Sequence, residues 1–297
     1  MFRIAIAQIK PRKADYPHNL ERVADALEQI CAMDKRPDVL ALSETSLSGY
    51  FLEGGVRDAA RPAETVFRDL QSAYAERCGG AGSVDVALGF YELHDGKHYN
   101  SSLYATLSTD ADQAALHHVH RKFFLPTYGV FDEKRFVVRG RSIHAFDTRF
   151  GRSAMLICED AWHSVAPAIA ALRGAQVIYV LSASPGRGFG RGTVGNLAKW
   201  SFLLPGIATE HSVFVVYAGL VGFEGGKGFS GSSVIVDPFG AERVRGPATD
   251  ECLLVADIDL DDVAIARASS PLLADLEAAL SDVVLELEGV ARAARPA

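Results

Sequence analysis

Three residues of types that together can break an amide bond stand at the ends of apolar runs in this chain: Cys158, Glu44 and Lys122. Residues 153–157 form a short, mostly apolar run, the pattern of a buried strand, and Cys158 follows at once, ahead of Glu159, Asp160 and Trp162. Residues 38–43 deliver Glu44 in the same way, and residues 114–121 end at Lys122. A thiol can attack a carbonyl carbon, a carboxylate can take the thiol proton and later activate water, and an ammonium can balance the charge that develops. Taken singly, each has an ordinary alternative: a buried cysteine that only packs, a solvated glutamate after a strand, a lysine that opens a loop.

The elements around Cys158 must position it. Residues 167–174 read as a helix with Pro167 near its start and Gly174 at its stop, and residues 177–181 as a second strand. Strand, cysteine turn, helix and strand make one βαβ unit, with the thiol at the carboxyl end of the first strand, where open α/β sheets place their chemistry. Helix N–H groups just beyond Cys158 are expected to favour a thiolate.

Elsewhere, strands are expected at 3–9, 84–91, 101–107, 213–217, 233–237 and 253–258. Amphipathic or capped helices are expected at 19–32, 64–77 and 195–210, the last interrupted by Pro205. Strands and helices alternate, but consecutive strands also occur, so a layered α/β fold with a mixed sheet fits better than an all-parallel one. Residues 123–142 form an aromatic and charged loop of a length that is usually functional. Residues 184–192 are glycine-rich without the GxxxxGK[ST] pattern, so they read as a loop over a cleft rather than a nucleotide-binding P-loop.

Composition narrows the partners. A chain of 297 residues with 48% apolar residues and a net charge of −7 describes a globular protein with ample core and no basic stripe, so nucleic acid is not expected. No run reaches the length of a membrane span, and the start lacks the layout of a signal peptide. Cys31, Cys78, Cys158 and Cys252 show no paired or metal-ligand spacing, so a reduced, cytoplasmic setting with no metal and no cofactor is expected. His117, His118 and His120 invite a metal, but in a strand only His118 and His120 share a face, and no third ligand is evident. Residues 1–262 read as one domain and 263–297 as a C-terminal helical extension. Its stripe of Leu273, Leu276, Leu280, Val283, Leu287 and Val290 needs a surface, on its own domain or on a second subunit.

A resemblance ties the candidates together. Leu42-Ser43-Glu44, His120 to Pro126 with Glu133 to Phe136, and Leu156 to Trp162 resemble, in order, the three signature regions of the carbon–nitrogen hydrolase (nitrilase) superfamily. Residues 222–240 resemble its later glycine-rich segment. The resemblance covers roughly residues 3–260 and is greatest to the glutaminase domain of glutamine-dependent NAD synthetase. The chain stops without the ATP-dependent synthetase domain of those enzymes, so it resembles a free-standing relative. The resemblance implies a four-layer αββα sandwich, Glu44 as general base, Lys122 as oxyanion stabiliser, Cys158 as nucleophile, and Glu133 orienting Lys122 and the amide nitrogen. It also implies that the backbone N–H of Glu159 completes the oxyanion hole. Family members commonly dimerise through the helices beside the cysteine turn and through C-terminal extensions, which implies a homo-oligomer. Tyr50, Tyr128, Trp162 and Arg187 are candidates to line the pocket. Gly219 departs from the pattern, because many members carry Asn there. The implied activity is hydrolysis of a small-molecule amide through a cysteine thioester, with ammonia released. An N-carbamoyl substrate is the alternative within the class, and a non-catalytic or ammonia-supplying subunit of a synthetase the alternative outside it.

Overall fold

A computed structural model describes residues 1–190 and 193–294. Alternation along β1 (Phe2–Gln8) decides the layering: Ile4 and Ile6 point to one face, Ala5 and Ala7 to the other. The alanine face packs on the apolar stripe of α1 (Tyr16–Cys31), through Val23, Leu27 and Ile30, and on α3 (Ala63–Arg77). Between these helices come β2 (Val39–Leu42) and the single turn α2 (Val56–Ala59), and after them β3 (Ser83–His94), β4 (Lys97–Ser108) and β5 (Ala115–Arg121). The β3–β4 hairpin turns on Asp95 and Gly96, both at positive φ, as a two-residue hairpin turn requires.

The second half repeats the plan. It runs through β6 (Ala145–Thr148), β7 (Gly151–Ile157), α4 (Val165–Leu172) and β8 (Val177–Ser182). A two-residue ladder of β9 (Phe189–Gly190) and β10 (Thr193–Val194) leads into α5 (Gly195–His211). Then follow β11 (Phe214–Gly219), the hairpin β12 (Gly222–Glu224) and β13 (Lys227–Phe229), β14 (Val234–Val236) and β15 (Glu242–Arg245). The chain returns to the first sheet with β16 (Cys252–Ile258) and closes with α6 (Asp261–Ser269) and α7 (Leu272–Ala293).

The sheets have the orders β16-β1-β2-β3-β4-β5 and β15-β14-β11-β8-β7-β6. Each holds three parallel strands flanked by antiparallel ones. Ile4, Ile6, Met155, Tyr179 and Val216 interlock between the sheets, while α4 and α5 cover the outer face of the second through Ala170, Trp200, Leu204 and Ala208. Helix, sheet, sheet, helix is the expected αββα sandwich.

Differences from the sequence reading have local causes. Helix α1 begins three residues earlier than expected, because Asp15 accepts from the His18 N–H and Pro17 fits the first turn. Helix α5 runs unbroken through Pro205, held by buried Trp200, Leu204, Ile207 and Ala208. The edge strands β6 and β15 and the β12–β13 hairpin were not expected; they are short and carry little periodicity. Of the glycine-rich stretch 184–192, residues 191 and 192 lie outside the described residues. The stripe of α7 is buried at Leu273 and partly buried at Leu276, Leu280 and Val283, but Leu287 is 56% and Val290 66% exposed, so the helix meets its own domain along its first half and not beyond. All four cysteines are free, and no helix among the described residues is long and apolar enough to cross a membrane.

Candidate active site

The parallel register of β7, β8 and β11 brings the carboxyl ends of these strands together. Ile157 pairs with Leu181, and Gly219 with Ser182. Ser182 Oγ therefore reaches Cys158 Sγ at 3.3 Å, and the next residue, Ala183, donates its N–H to Glu44 Oε2 at 2.6 Å. Two consecutive residues of one strand end thus bring the thiol and the carboxylate to the same place, across the interface between the sheets.

Lys122 completes the cluster from the residue just after β5. Its Nζ donates to Glu44 Oε1 at 2.8 Å and to Glu133 Oε1 at 2.6 Å, and Asn100 Nδ2 also donates to Glu44 Oε1, at 2.7 Å. The Tyr50 hydroxyl donates to Glu133 Oε1, and Glu133 Oε2 is buried without a partner. Glu44, Lys122, Glu133 and Cys158 are all buried, with Lys122 only 1% exposed. An ammonium so enclosed is tolerable only because two carboxylates flank it.

Backbone conformation holds this arrangement under strain. Thr45, just after Glu44, has φ +52°, and Cys158 itself has φ +45°, both left-handed and unusual for residues with side chains. Gly89 in β3 is the other requirement: a Cβ there would stand 2.6 Å from the Glu44 Cα and 2.7 Å from the Thr45 nitrogen. Gly219 has a similar reason, since a side chain there would collide with the Gly231 carbonyl in the glycine-rich segment, which leaves no room for asparagine.

Electrostatics assigns protonation states. Burial alone would depress the Lys122 ammonium, but Glu133 and Glu44 outweigh it and hold its pKa well above the ordinary lysine value. Burial, and then the charge of Glu44, push the Cys158 thiol well above its ordinary range, against a partial pull from Lys122. This corrects the expectation of a favoured thiolate. Only a five-residue 3-10 turn, Cys158–Trp162, begins at the cysteine, and its dipole is too small to outweigh burial beside a carboxylate. A thiol in this setting could attack only with a base to take its proton.

Burial likewise raises the Glu133 carboxyl to about 7, although Lys122 opposes it. Its folded pKa lies above the ordinary 4.5, so its contribution to stability is present in full below about 4.5 and lost as pH rises through about 7. Glu133→Gln is expected to flatten that part of the stability profile, removing a loss of roughly 3 kcal/mol between pH 4.5 and 8. Urea unfolding of both proteins across that range measures it.

The lesser candidates separate. Tyr50 lines a cavity of about 250 Å³ with Tyr91, Phe131, Glu133, Val137 and Lys227. Tyr128 is half-exposed and donates its hydroxyl to the Glu159 carboxylate at 2.9 Å. The Arg187 guanidinium lies over the Phe131 ring at 4.8 Å and borders a second cavity, of about 380 Å³, that shares Val130 and Lys227 with the first. Trp162 packs on Trp200, ring centroids 4.8 Å apart, against the core beneath the second sheet. His117 bonds Thr106, His118 stacks on Phe146, and His120 bonds Asp160, so the histidine run is dispersed; no group able to hold a metal occurs among the described residues.

Sequence reasoning missed Asn100, Ser182, the Ala183 N–H and Gly89. Only Gly89 carried a signal, an isolated glycine inside an apolar strand, which marks close backbone approach. The others reach the site through strand register.

Residues 3–268 match the carbon-nitrogen hydrolase family. The chain belongs to that family. It is 30% identical over 262 residues to the glutamine-dependent NAD(+) synthetase of Thermotoga maritima, covering 88% of this chain and 42% of that protein. It thus spans less than half the length of that relative. An (R)-stereoselective amidase from a Pseudomonas species is 31% identical over 289 residues, covering 94% of this chain and 93% of its own length. The crystal structure of a carbon-nitrogen hydrolase from Helicobacter pylori G27 superposes with a TM-score of 0.81 at 21% identity, over 96% of this chain and 98% of that one.

Proposed function

We propose that this carbon-nitrogen hydrolase is a thiol amidase acting on a small amide. The observation that carries the reading is a buried thiol and a buried carboxylate brought together by one strand end, with an enclosed ammonium bonded to the carboxylate. Cys158 Sγ attacks the carbonyl carbon as Glu44 takes its proton. The negative oxygen that forms is held by Lys122 Nζ and the backbone N–H of Glu159. Collapse breaks the C–N bond, Glu44 returns its proton to the departing nitrogen, and ammonia leaves a thioester on Cys158. Glu44 then deprotonates a water molecule, which releases the carboxylic acid and restores the thiol. The unpartnered Glu133 Oε2 suits it to accept from the amide N–H₂ of the substrate.

Similarity to an amidase over nearly its whole length supports an amide rather than a nitrile. Similarity to NAD synthetases supports a second reading, in which the ammonia feeds a synthetase. Ammonia release across a panel of amides, N-carbamoyl compounds and nitriles tests the first. Failure to release it from any amide, with turnover of a carbamoyl compound or nitrile instead, would replace it.

The exposed end of α7, with Leu287 and Val290, and the 79% exposed Phe202 on neighbouring α5 support a homo-oligomer. A chain truncated before Pro271 is expected to sediment as a smaller species. An unchanged oligomeric state would remove α7 from the interface.

A further inference from the structure

Asp160 is fully buried, and its two oxygens gather bonds from both sides of the site. Oδ1 accepts the backbone N–H of Phe123 at 2.9 Å and of Phe124 at 2.8 Å, and Oδ2 accepts that of Ile157 at 3.0 Å. His120 Nε2 meets Oδ2 at 2.8 Å, and its side chain is 1% exposed. The three backbone groups can only donate, so the carboxylate they surround accepts from His120 as well, with the proton on Nε2. Phe123 directly follows Lys122, His120 precedes it by two residues, and Ile157 directly precedes Cys158. One carboxylate therefore grips Lys122 on both flanks and Cys158 on one.

We propose that Asp160 and His120 are a positioning pair that fixes the Lys122 ammonium in register with the Cys158 thiol, a role that rests on the hydrolase reading above. Neither side chain touches the reacting atoms in that reading; each acts through the residues it holds. Cys158 is at positive φ, a conformation kept only where its surroundings overdetermine it, and the Ile157 N–H bond to Asp160 pins the residue before it. On the other side, β5 ends at Arg121; the Lys122 N–H still donates to the Asn100 carbonyl at 2.9 Å, and its carbonyl accepts from the Gly140 N–H at 2.7 Å. The Phe123 and Phe124 bonds to Asp160 set the direction in which the chain leaves it. The His120 bond ties the last turn of that strand to the same carboxylate. Without it, Oδ2 is held by Ile157 alone, and the carboxylate can turn, shifting the Phe123 and Phe124 N–H groups on its other oxygen relative to Ile157. Misplacement of such groups by about 1 Å can cost on the order of 100-fold in rate.

The test compares His120→Leu, which fills the space without a donor, with His120→Gln, whose amide N–H₂ can reach Asp160 in place of Nε2. Ammonia release from an amide that the wild-type protein hydrolyses gives kcat and KM. The rate of Cys158 alkylation by iodoacetamide, followed by intact mass, reports the thiol without requiring turnover. His120→Leu is expected to lose about 30-fold in kcat with KM changed less than about threefold, and to alkylate more slowly. His120→Gln is expected to stay within about threefold of wild type in both. If His120→Leu does not fold, His120→Asn replaces it, because its shorter amide does not reach Asp160. Equal behaviour of the donor and non-donor variants, both retained or both lost, overturns the positioning pair and leaves the amidase reading standing. A wild-type protein that hydrolyses no amide, yet whose alkylation still separates Leu from Gln, overturns the amidase reading and leaves the pair standing.

Discussion

Glu44→Gln is expected to accumulate an acyl-enzyme and to lose on the order of 10³-fold or more in turnover. In the proposed reaction the carboxylate has work in both chemical steps, and the two steps tolerate its loss differently. In the first, the thiol is buried and its pKa raised, so attack without a base is slow. Lys122 still pulls toward the thiolate, however, and a good leaving group lets some acylation proceed. In the second step the nucleophile is water, which has no thiolate-like form to draw on, so deprotonation at the moment of attack is indispensable. Glutamine keeps the shape of Glu44 but cannot satisfy the donors around it. Asn100 Nδ2 and Lys122 Nζ both point at Oε1, and the Ala183 N–H points at Oε2. One of these positions becomes an NH₂ facing a donor. Intact-mass spectrometry after addition of an activated amide should show the acyl increment in Glu44→Gln and none in Cys158→Ala. An adduct that persists in Cys158→Ala, or that maps to Cys31, Cys78 or Cys252, would place the nucleophile elsewhere.

The parts of this site that could be read from sequence are those that local order dictates. Cys158 and Glu44 follow short apolar strands, and such strands in layered α/β folds expose their next residue at the sheet edge. A layered α/β fold with a mixed sheet was legible because strands and helices alternate while some strands are consecutive, and the four-layer arrangement followed from the family resemblance. The neighbours of the reacting groups were not legible, because register delivers them. Asn100 reaches Glu44 from a strand 56 residues away, and Ala183 from one 139 residues away. The state of the thiol was misjudged for a related reason. A helix start after Cys158 is a local feature, whereas the burial and the Glu44 charge that outweigh it arise only when the two sheets close on each other. The α7 stripe shows the opposite case: its periodicity is plain, but periodicity does not say which surface it meets.

Lys122→Met separates what the ammonium does for the fold from what it does for the reaction. With the cation removed, Glu44 Oε1 and Glu133 Oε1 face each other in a site where both side chains are buried. Two carboxylates in that position cannot both stay ionised, so at least one binds a proton and the folded state destabilises by about 3–5 kcal/mol near neutral pH. Protonation relieves the repulsion. The folded pKa of the affected carboxyl is raised, so stability is regained as pH falls below it, and the deficit against wild type narrows toward pH 5. Adding Glu133→Gln removes one of the stranded charges and is expected to restore most of the lost stability at pH 7. Activity should not follow. The developing oxyanion has lost its cation, worth about 10²–10³-fold by itself. Glu44, now free to hold a proton, is also a poorer acceptor for the Cys158 thiol. Urea unfolding and amide turnover of the single and double variants, each at pH 5 and pH 7, distinguish the two roles. Recovery of turnover together with stability in the double variant would reduce Lys122 to a counter-ion for Glu133.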